Sequence, residues 1–413
     1  MAGDAADREP PVESFWREER GRLPVTGSYL VDSLIAVVVV LVLVTVFGLF
    51  ALWPHGHLAR PGNFGPIRTV GAVAENVHTE PCKLSASHQC KVATVKITDG
   101  PQKGQLTELT TVAVVGSLNI QQGDHIRVYK NVVTPGETGN APAFSFADFD
   151  RRGAMLWLTI GFGVLLLVTG RKHGLRALIG LVGSLLIVVE FVVPAILHGS
   201  SPFAVALVGA FAVMLVMMPL SYGFGAKALA AWLGTAISLL LAAVLAYTFS
   251  RVAHLSGAAS DESVYLGASQ SGLSLQGLLV AGMVIGALGV LVDLTVSQAS
   301  TVIALRRANP ALRFRGLFSG ALEVGHDHIA ATVATLVFAY AGAALPVLLI
   351  FNVGDTSFTD AVNGEAVADE VIAALVGSIG LIASMPITTA LAAMLATRMT
   401  DKQLEHADHA HAH

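Results

Sequence analysis

Charge is what this sequence has least of. Only 13% of its 413 residues are Asp, Glu, Lys or Arg, while 54% are hydrophobic; soluble domains carry roughly 25% charge. So little charge cannot wet the surface of a chain this long, which makes a bilayer the expected solvent and argues against a soluble enzyme or a nucleic-acid binder. Familiar catalytic signatures are missing as well. There is no Gly-x-x-x-x-Gly-Lys-Ser/Thr loop, no His-Glu-x-x-His and no Gly-x-Ser-x-Gly, so the common nucleotide-hydrolysing, zinc-peptidase and serine-hydrolase chemistries are not encoded. The expectation is a protein that is not an enzyme and needs no cofactor. Cysteine is limited to Cys82 and Cys90, and that spacing excludes a C-x-x-C metal pair.

What the sequence does have is long apolar runs. Crossing about 30 Å of hydrocarbon takes roughly 20 apolar residues in a helix. The first run, Ser33 to Pro54 within residues 29–54, is too long for a cleaved signal peptide and reads as a signal anchor. Later runs cover Gly153–Gly170, Leu178–Leu197, Phe203–Ser221, Leu229–Ser250, Leu275–Val296, Ile329–Phe351 and Val371–Thr397. The fold class is therefore an α-helical polytopic membrane protein of about eight spans. A cytoplasmic segment, 1–28, precedes the anchor; residues 151–400 form a seven-helix membrane domain, and 401–413 a tail.

Lysine and arginine in short loops set orientation, because cytoplasmic loops retain them. Arg8, Arg17, Arg20 and Arg22 precede the first span. Arg171, Lys172 and Arg176, then Lys227, then Arg306, Arg307, Arg313 and Arg315, then Arg398 and Lys402 all fall on that same side. The alternate loops, 198–202, 252–274 and 352–370, have no lysine or arginine, and the last two hold Asp261, Glu262, Asp355, Asp360, Glu365, Asp369 and Glu370. Arg251 is the exception. Both termini are expected in the cytoplasm of a cell whose plasma membrane holds the chain.

Residues 55–150 change character, alternating short β-branched runs with turn residues. Strands are predicted at Val92–Thr98, Thr107–Val114 and His125–Val133, with turns at Asp99-Gly100 and Gly123-Asp124. Four or five such strands suggest a compact all-β barrel such as the OB fold, inserted after the first span. The topology puts this domain outside the cytoplasm, where Cys82 and Cys90 are expected to form a disulfide.

Ionisable groups inside a span are costly enough to mark function by default. Asp293 lies in the sixth span, in Gly289-Val-Leu-Val-Asp-Leu-Thr-Val-Ser-Gln-Ala-Ser300, and at helical spacing shares a face with Ser297 and Ser300. Gly282, Gly286 and Gly289 form a small-residue face that would let a neighbouring helix approach closely. The seventh span is expected to begin at Val324-Gly-His-Asp-His, with His328, Thr332 and Thr335 along one face. Asp293, His326, Asp327 and His328 would then gather near the inner leaflet, either as a cation or proton pathway or as plain helix-end capping by Asp327. Glu190, in the apolar third span, is either paired, protonated or functional. Gly377-Ser-Ile-Gly380 and Ser384-Met-Pro-Ile-Thr-Thr389 give the eighth span the means to kink. His406, His409, His411 and His413 in the tail could collect divalent cations, although a solvated tail also explains them.

Several segments together resemble the YibE/F-like membrane proteins of actinobacteria and firmicutes. They are Phe149-Asp-Arg-Arg152, Gly170-Arg-Lys-His-Gly-Leu-Arg176, Gly286 to Ser300, Asp327-His-Ile-Ala-Ala-Thr-Val and Ala339-Tyr-Ala-Gly-Ala343. The resemblance covers most of 145–397 and implies an anchor, an external β domain and about seven further spans. It also implies two consecutive acids in the sixth-span motif, where Val292 precedes Asp293 here, and an apolar third span, where Glu190 stands out. Two functions are open: a secondary transporter or permease for an ion or small solute, or a non-transporting scaffold or sensor. The expected partners are the bilayer, a small solute or cation, and a homo-oligomer or envelope protein, with no nucleic acid.

Overall fold

The structure is a computed structural model of the chain, and it describes residues 29–54, 69–82, 85–112, 120–131, 143–223, 225–270 and 272–399. Its described residues form two compact units, one within Ala59–Thr169 and the other within Met1–Leu58 together with Gly170–His413. The first helix, α1 (Tyr29–Ala51), precedes the strands of the smaller unit.

Five strands, together with the helical residues up to Thr169, make that smaller unit: β1 (Thr69–Cys82), β2 (Ser85–Ile97), β3 (Leu106–Val112), β4 (His125–Lys130) and β5 (Phe144–Phe149). They form one antiparallel sheet in the order β3-β2-β1-β4-β5. The edge strands β3 and β5 approach each other, so the sheet curls into a half-barrel. Alternate residues of each strand point inward: Ala72 and Ala74, Ala93, Val95 and Ile97, and Ile126 and Val128 are all buried. Gly100, Gly104 and Gly123 take positive φ in the tight turns, a conformation glycine adopts without steric cost. Arg127 fastens the sheet to one of these turns. Its guanidinium pairs with Asp99 at 3.0 Å and donates to the Thr69 carbonyl at 2.6 Å, while Asp99 accepts from the Gly71 amide.

The three predicted strands are present, except that β2 begins seven residues earlier than expected and β4 ends at Lys130, three residues short of Val133, and β1 and β5 complete the sheet. In the β1–β2 hairpin, Cys82 is set against Ser85 and Cys90 against Glu80. The cysteines are therefore not cross-strand partners, and their side chains lie outside the described residues. So do the tail histidines His406, His409, His411 and His413.

From Gly170 on, the larger unit is helical: it takes the second half of α2 (Arg152–Ile187), then a π turn (Val188–Val192) running into α3 (Val193–Leu197), α4 (Pro202–Tyr222), α5 (Ala226–Val252), α6 (Asp261–Ser269), α7 (Leu275–Ala308), α8 (Phe314–Val353), α9 (Phe358–Asn363) and α10 (Glu365–Ala396). Among the described residues seven helices are long and apolar enough to cross a membrane, counting Arg152–Leu197 as a single run of 46 residues. At 1.5 Å per residue that run is about 69 Å long, twice the hydrocarbon thickness. Arg171, with φ 47° and ψ −125°, breaks it, close to the expected boundary between the second and third spans. Large apolar side chains such as Phe338 and Ile350 stand exposed, as on helices whose surroundings are hydrocarbon.

Three helices, α5, α7 and α10, carry the core. Alanine and glycine are frequent among the buried residues of α5 and α10, which lets backbones approach closely where apolar surroundings give no hydrophobic drive between helices. A methyl on Gly234 of α5 would stand 2.0 Å from the Thr388 hydroxyl of α10, and one on Gly380 would meet Ala242 at 3.2 Å. Thr235 and Thr295 join α5 to α7 by a buried hydroxyl–hydroxyl hydrogen bond of 2.6 Å.

Two expectations about helix ends and packing are corrected. The seventh span begins at Phe314, not near Val324, so Asp327 sits thirteen residues inside α8 and caps nothing. Two of the three glycines expected to seat a neighbour on α7 do not: added methyls at Gly282 and Gly289 would meet nothing within 4 Å, whereas one at Gly286 would meet the Tyr340 hydroxyl at 3.2 Å.

These contacts predict opposite responses to the same substitution. Gly234→Ala should lower the thermal midpoint of the detergent-solubilised protein, by an overpacking cost of about 1–3 kcal/mol. Gly282→Ala should leave it unchanged or raise it, since alanine favours the helix by about 1 kcal/mol. Differential scanning fluorimetry of the two variants checks both.

Candidate functional site

Gly282, Gly286, Gly289 and Asp293 follow one another at helical spacing along α7, and all four are exposed. Ser297 and Ser300 continue the line half-buried. Because glycines leave their side of the helix bare, this face is a furrow rather than a ridge. The remaining positions of α7, from Val280 to Ile303, are mostly buried against α5, α8 and α10.

The antiparallel helix α8 passes beside it. A methyl on Gly320 would approach Leu305, one on Gly325 would approach Gln298, and Tyr340 lies over Gly286. This register puts His328 level with Ser297 and Thr332 level with Asp293. Both are half-buried, and the His328 Nε2 is enclosed without a hydrogen-bond partner. His326 and Asp327 are exposed. A helix turns by about 100° per residue, so with Gly325 and His328 on the packed face, those two point away from it. The anticipated cluster is therefore not assembled: among the described residues no hydrogen bond or ion pair joins Asp293 to His326, Asp327 or His328, and no three His, Cys, Asp or Glu side chains group as metal ligands. The Ser300 and Thr332 hydroxyls bond back to Val296 and His328 carbonyls of their own helices, at 2.7 and 2.8 Å. Asp293 instead lies within electrostatic range of Tyr222, at the end of α4.

Glu190 is exposed in the π turn. Pro194 has no N–H to give the Glu190 carbonyl, and the turn widens to i→i+5 bonding, with the Val193 amide reaching the Val188 carbonyl.

At the other end of the furrow the structure holds a cavity of about 460 Å³. Gly282 of α7 and Tyr340 of α8 line one part, Asp369 and Glu370 of α10 another, and Ser260 and Ser263 the loop side. Asp369 is only 9% exposed, and its Oδ1 has no hydrogen-bond partner. Sequence reading placed Asp369 and Glu370 in a loop, yet α10 already begins at Glu365. The available signal was periodicity: Asp369, Ala373, Gly377 and Gly380 run along one buried stripe, so the acid occupies a position where the pattern calls for an apolar residue.

Glu365 builds the loop wall. One carboxylate oxygen accepts from the Ser256 amide at 2.6 Å, the Ser256 hydroxyl at 2.7 Å and the Gly257 amide at 2.8 Å. Gly257 has φ +74°, and a methyl there would stand 2.3 Å from the Leu275 carbonyl; only glycine fits that crossing.

Between furrow and core, Gln298 is 2% exposed with both amide atoms unpartnered, and Ser238, Ser378, Thr388 and Thr389 also bury unpartnered hydroxyls. Such groups need bonding that the packed helices do not supply. Pro386 within α10 removes a further backbone donor from the same seam.

Comparison with known proteins places this helical unit. The family model for YibE/F-like proteins matches residues 158–398, more than half of the chain. The chain belongs to the YibE/F-like family. The matched region begins within α2 and ends just past α10, so the furrow, the cavity and the polar seam all lie inside the family's segment, while the β unit lies outside it. No curated protein and no solved structure matches the chain.

The Glu365 contacts predict a graded response. Glu365→Ala should speed hydrogen exchange at the Ser256 and Gly257 amides, whose acceptor is lost. Glu365→Gln keeps a carbonyl acceptor and should do so less. Mass-spectrometric exchange on peptides covering 253–263 measures the order; equal protection in all three proteins would refute the contact.

Proposed function

We propose that this protein is a membrane permease, a secondary transporter for an ion or small solute, whose pathway follows the bare face of α7. The observation that carries this reading is the continuity of one helix face: a carboxylate-lined cavity at Gly282, open backbone at Gly286 and Gly289, then Asp293 and Ser297. Glycines that seat no neighbour have no packing role, and an acid in the middle of an apolar helix is retained at a cost of about 2.5–3.5 kcal/mol. A furrow that a solute or water occupies accounts for both.

Lysine and arginine bias supports a plasma-membrane orientation with both termini cytoplasmic, and hence an external mouth at the 252–274 and 352–370 loops. In that orientation the β unit is extracytoplasmic. Its strand order, with β1 central and the edges β3 and β5 converging, supports an OB-like barrel, which would act as a docking or gating module.

Purified protein in proteoliposomes tests the permease reading, with uptake of radiolabelled sodium, calcium and neutral solutes measured alongside charge movement on solid-supported membranes. Wild type should move at least one of these. Asp293→Asn should slow it by roughly 10- to 150-fold, as expected for losing a charge-assisted contact of about 1.5–3 kcal/mol, while keeping the thermal midpoint. A wild type that moves nothing, in a cell where only deletion of 55–150 has a phenotype, would instead identify a scaffold or sensor.

A further inference from the structure

We propose that the cavity between α7, α8 and α10 is a binding site for a hard, hydrated divalent cation, held by Asp369 and Glu370. This deepens the permease reading and rests on it for the meaning of the site, which would be the outer vestibule of the pathway and the cation its substrate or coupling ion.

Donor chemistry comes first. The polar side chains facing the cavity are the two carboxylates, the Ser260 and Ser263 hydroxyls and the Tyr340 phenol, with no imidazole or thiolate among them. An all-oxygen set selects magnesium- or calcium-like ions over softer metals. Asp369 is shielded on nearly all sides, and its Oδ1 is enclosed without a donor. A carboxylate left so is expensive unless a positive group completes it, and Asp369 borders the cavity. Glu370 lies within electrostatic range of Asp369, as does Glu365, so a dipositive ion relieves mutual repulsion as well.

Size decides how the ion is held. At about 30 Å³ per water, about 460 Å³ is far more than a bare ion fills, and no third carboxylate joins the pair as a ligand cluster. Two carboxylates around an ion that keeps several waters is the arrangement expected for magnesium. The surrounding segments favour the same sign of charge: apart from the pair itself, 252–274 and 352–370 contain Asp261, Glu262, Asp355, Asp360 and Glu365 and neither lysine nor arginine. Glu365 acts here as a positioning residue, holding the Ser256–Gly257 wall against the cavity.

The test uses the full-length protein in non-ionic detergent, its thermal midpoint followed against magnesium, calcium, sodium and choline chlorides at matched ionic strength. Equilibrium dialysis with radiolabelled calcium gives the stoichiometry. Wild type should gain several degrees with the divalent salts and none with sodium or choline, and should bind close to one calcium. Asp369→Asn and Glu370→Gln should each weaken divalent binding at least about tenfold. Glu370→Gln, at a less buried position, keeps the test valid if Asp369→Asn fails to fold. No divalent-specific shift in wild type, or a shift that survives in both variants, overturns the site; a choline shift as large as the divalent one points to an organic cation and overturns it too. Binding without flux in proteoliposomes leaves the site standing and removes the permease reading, whereas flux without divalent binding does the reverse.

Discussion

Everything in the helical unit hangs on how closely α5 and α10 meet. Gly234 lies so near Thr388 that no methyl fits between them, and Gly380 lies nearly as close to Ala242. In hydrocarbon, where burying a leucine gains little over leaving it in lipid, such contact is the main source of helix–helix attraction. With α5 and α10 locked, α7 is fixed against both, and the Thr235–Thr295 hydrogen bond sets its rotation. That rotation decides which face of α7 is left over. The leftover face carries Gly282, Gly286, Gly289 and Asp293.

The same residue type therefore does opposite things a few ångströms apart. Gly234 and Gly325 are small because something presses on them; Gly282 and Gly289 are small with nothing pressing. The first pair gives a rigid frame, and the second leaves an unfilled surface on that frame, next to a helix, α8, that is mostly exposed along its length. Helix α8 leans mainly on α10 and more lightly on α7, so the unfilled surface lies along the seam it shares with α7.

Much of the architecture was legible in the residues. The long apolar helices, the β insert and the family followed from hydropathy, periodicity and local motifs, because these depend on near neighbours in the chain. The site was legible only in part. Asp293 and Ser297 do share an open face, as the spacing implied. His326 and Asp327 were misplaced because the start of α8 was set at a local charge cluster, when the helix runs on ten residues further toward Phe314. Asp369 and Glu370 were passed over because seven acids in two loops look like ordinary solvated charge. Whether an acid faces water or a cavity depends on which distant helix lies above it. Likewise, a glycine stripe reads as a contact surface, and only the packed bundle shows that nothing makes the contact.

The grip of Glu365 on Ser256 and Gly257 spans 108 to 109 residues of chain. During synthesis the loop is made first, and its partner follows only after α7 and α8. At about 5–20 residues per second, the ribosome needs on the order of 5–20 s to bridge that interval. Until the final helix arrives, the loop has neither its acceptor nor the two cavity carboxylates beside it. The cavity is thus the last part of the bundle to be completed, and a chain halted before Glu365 would have most of its spans but no finished cavity.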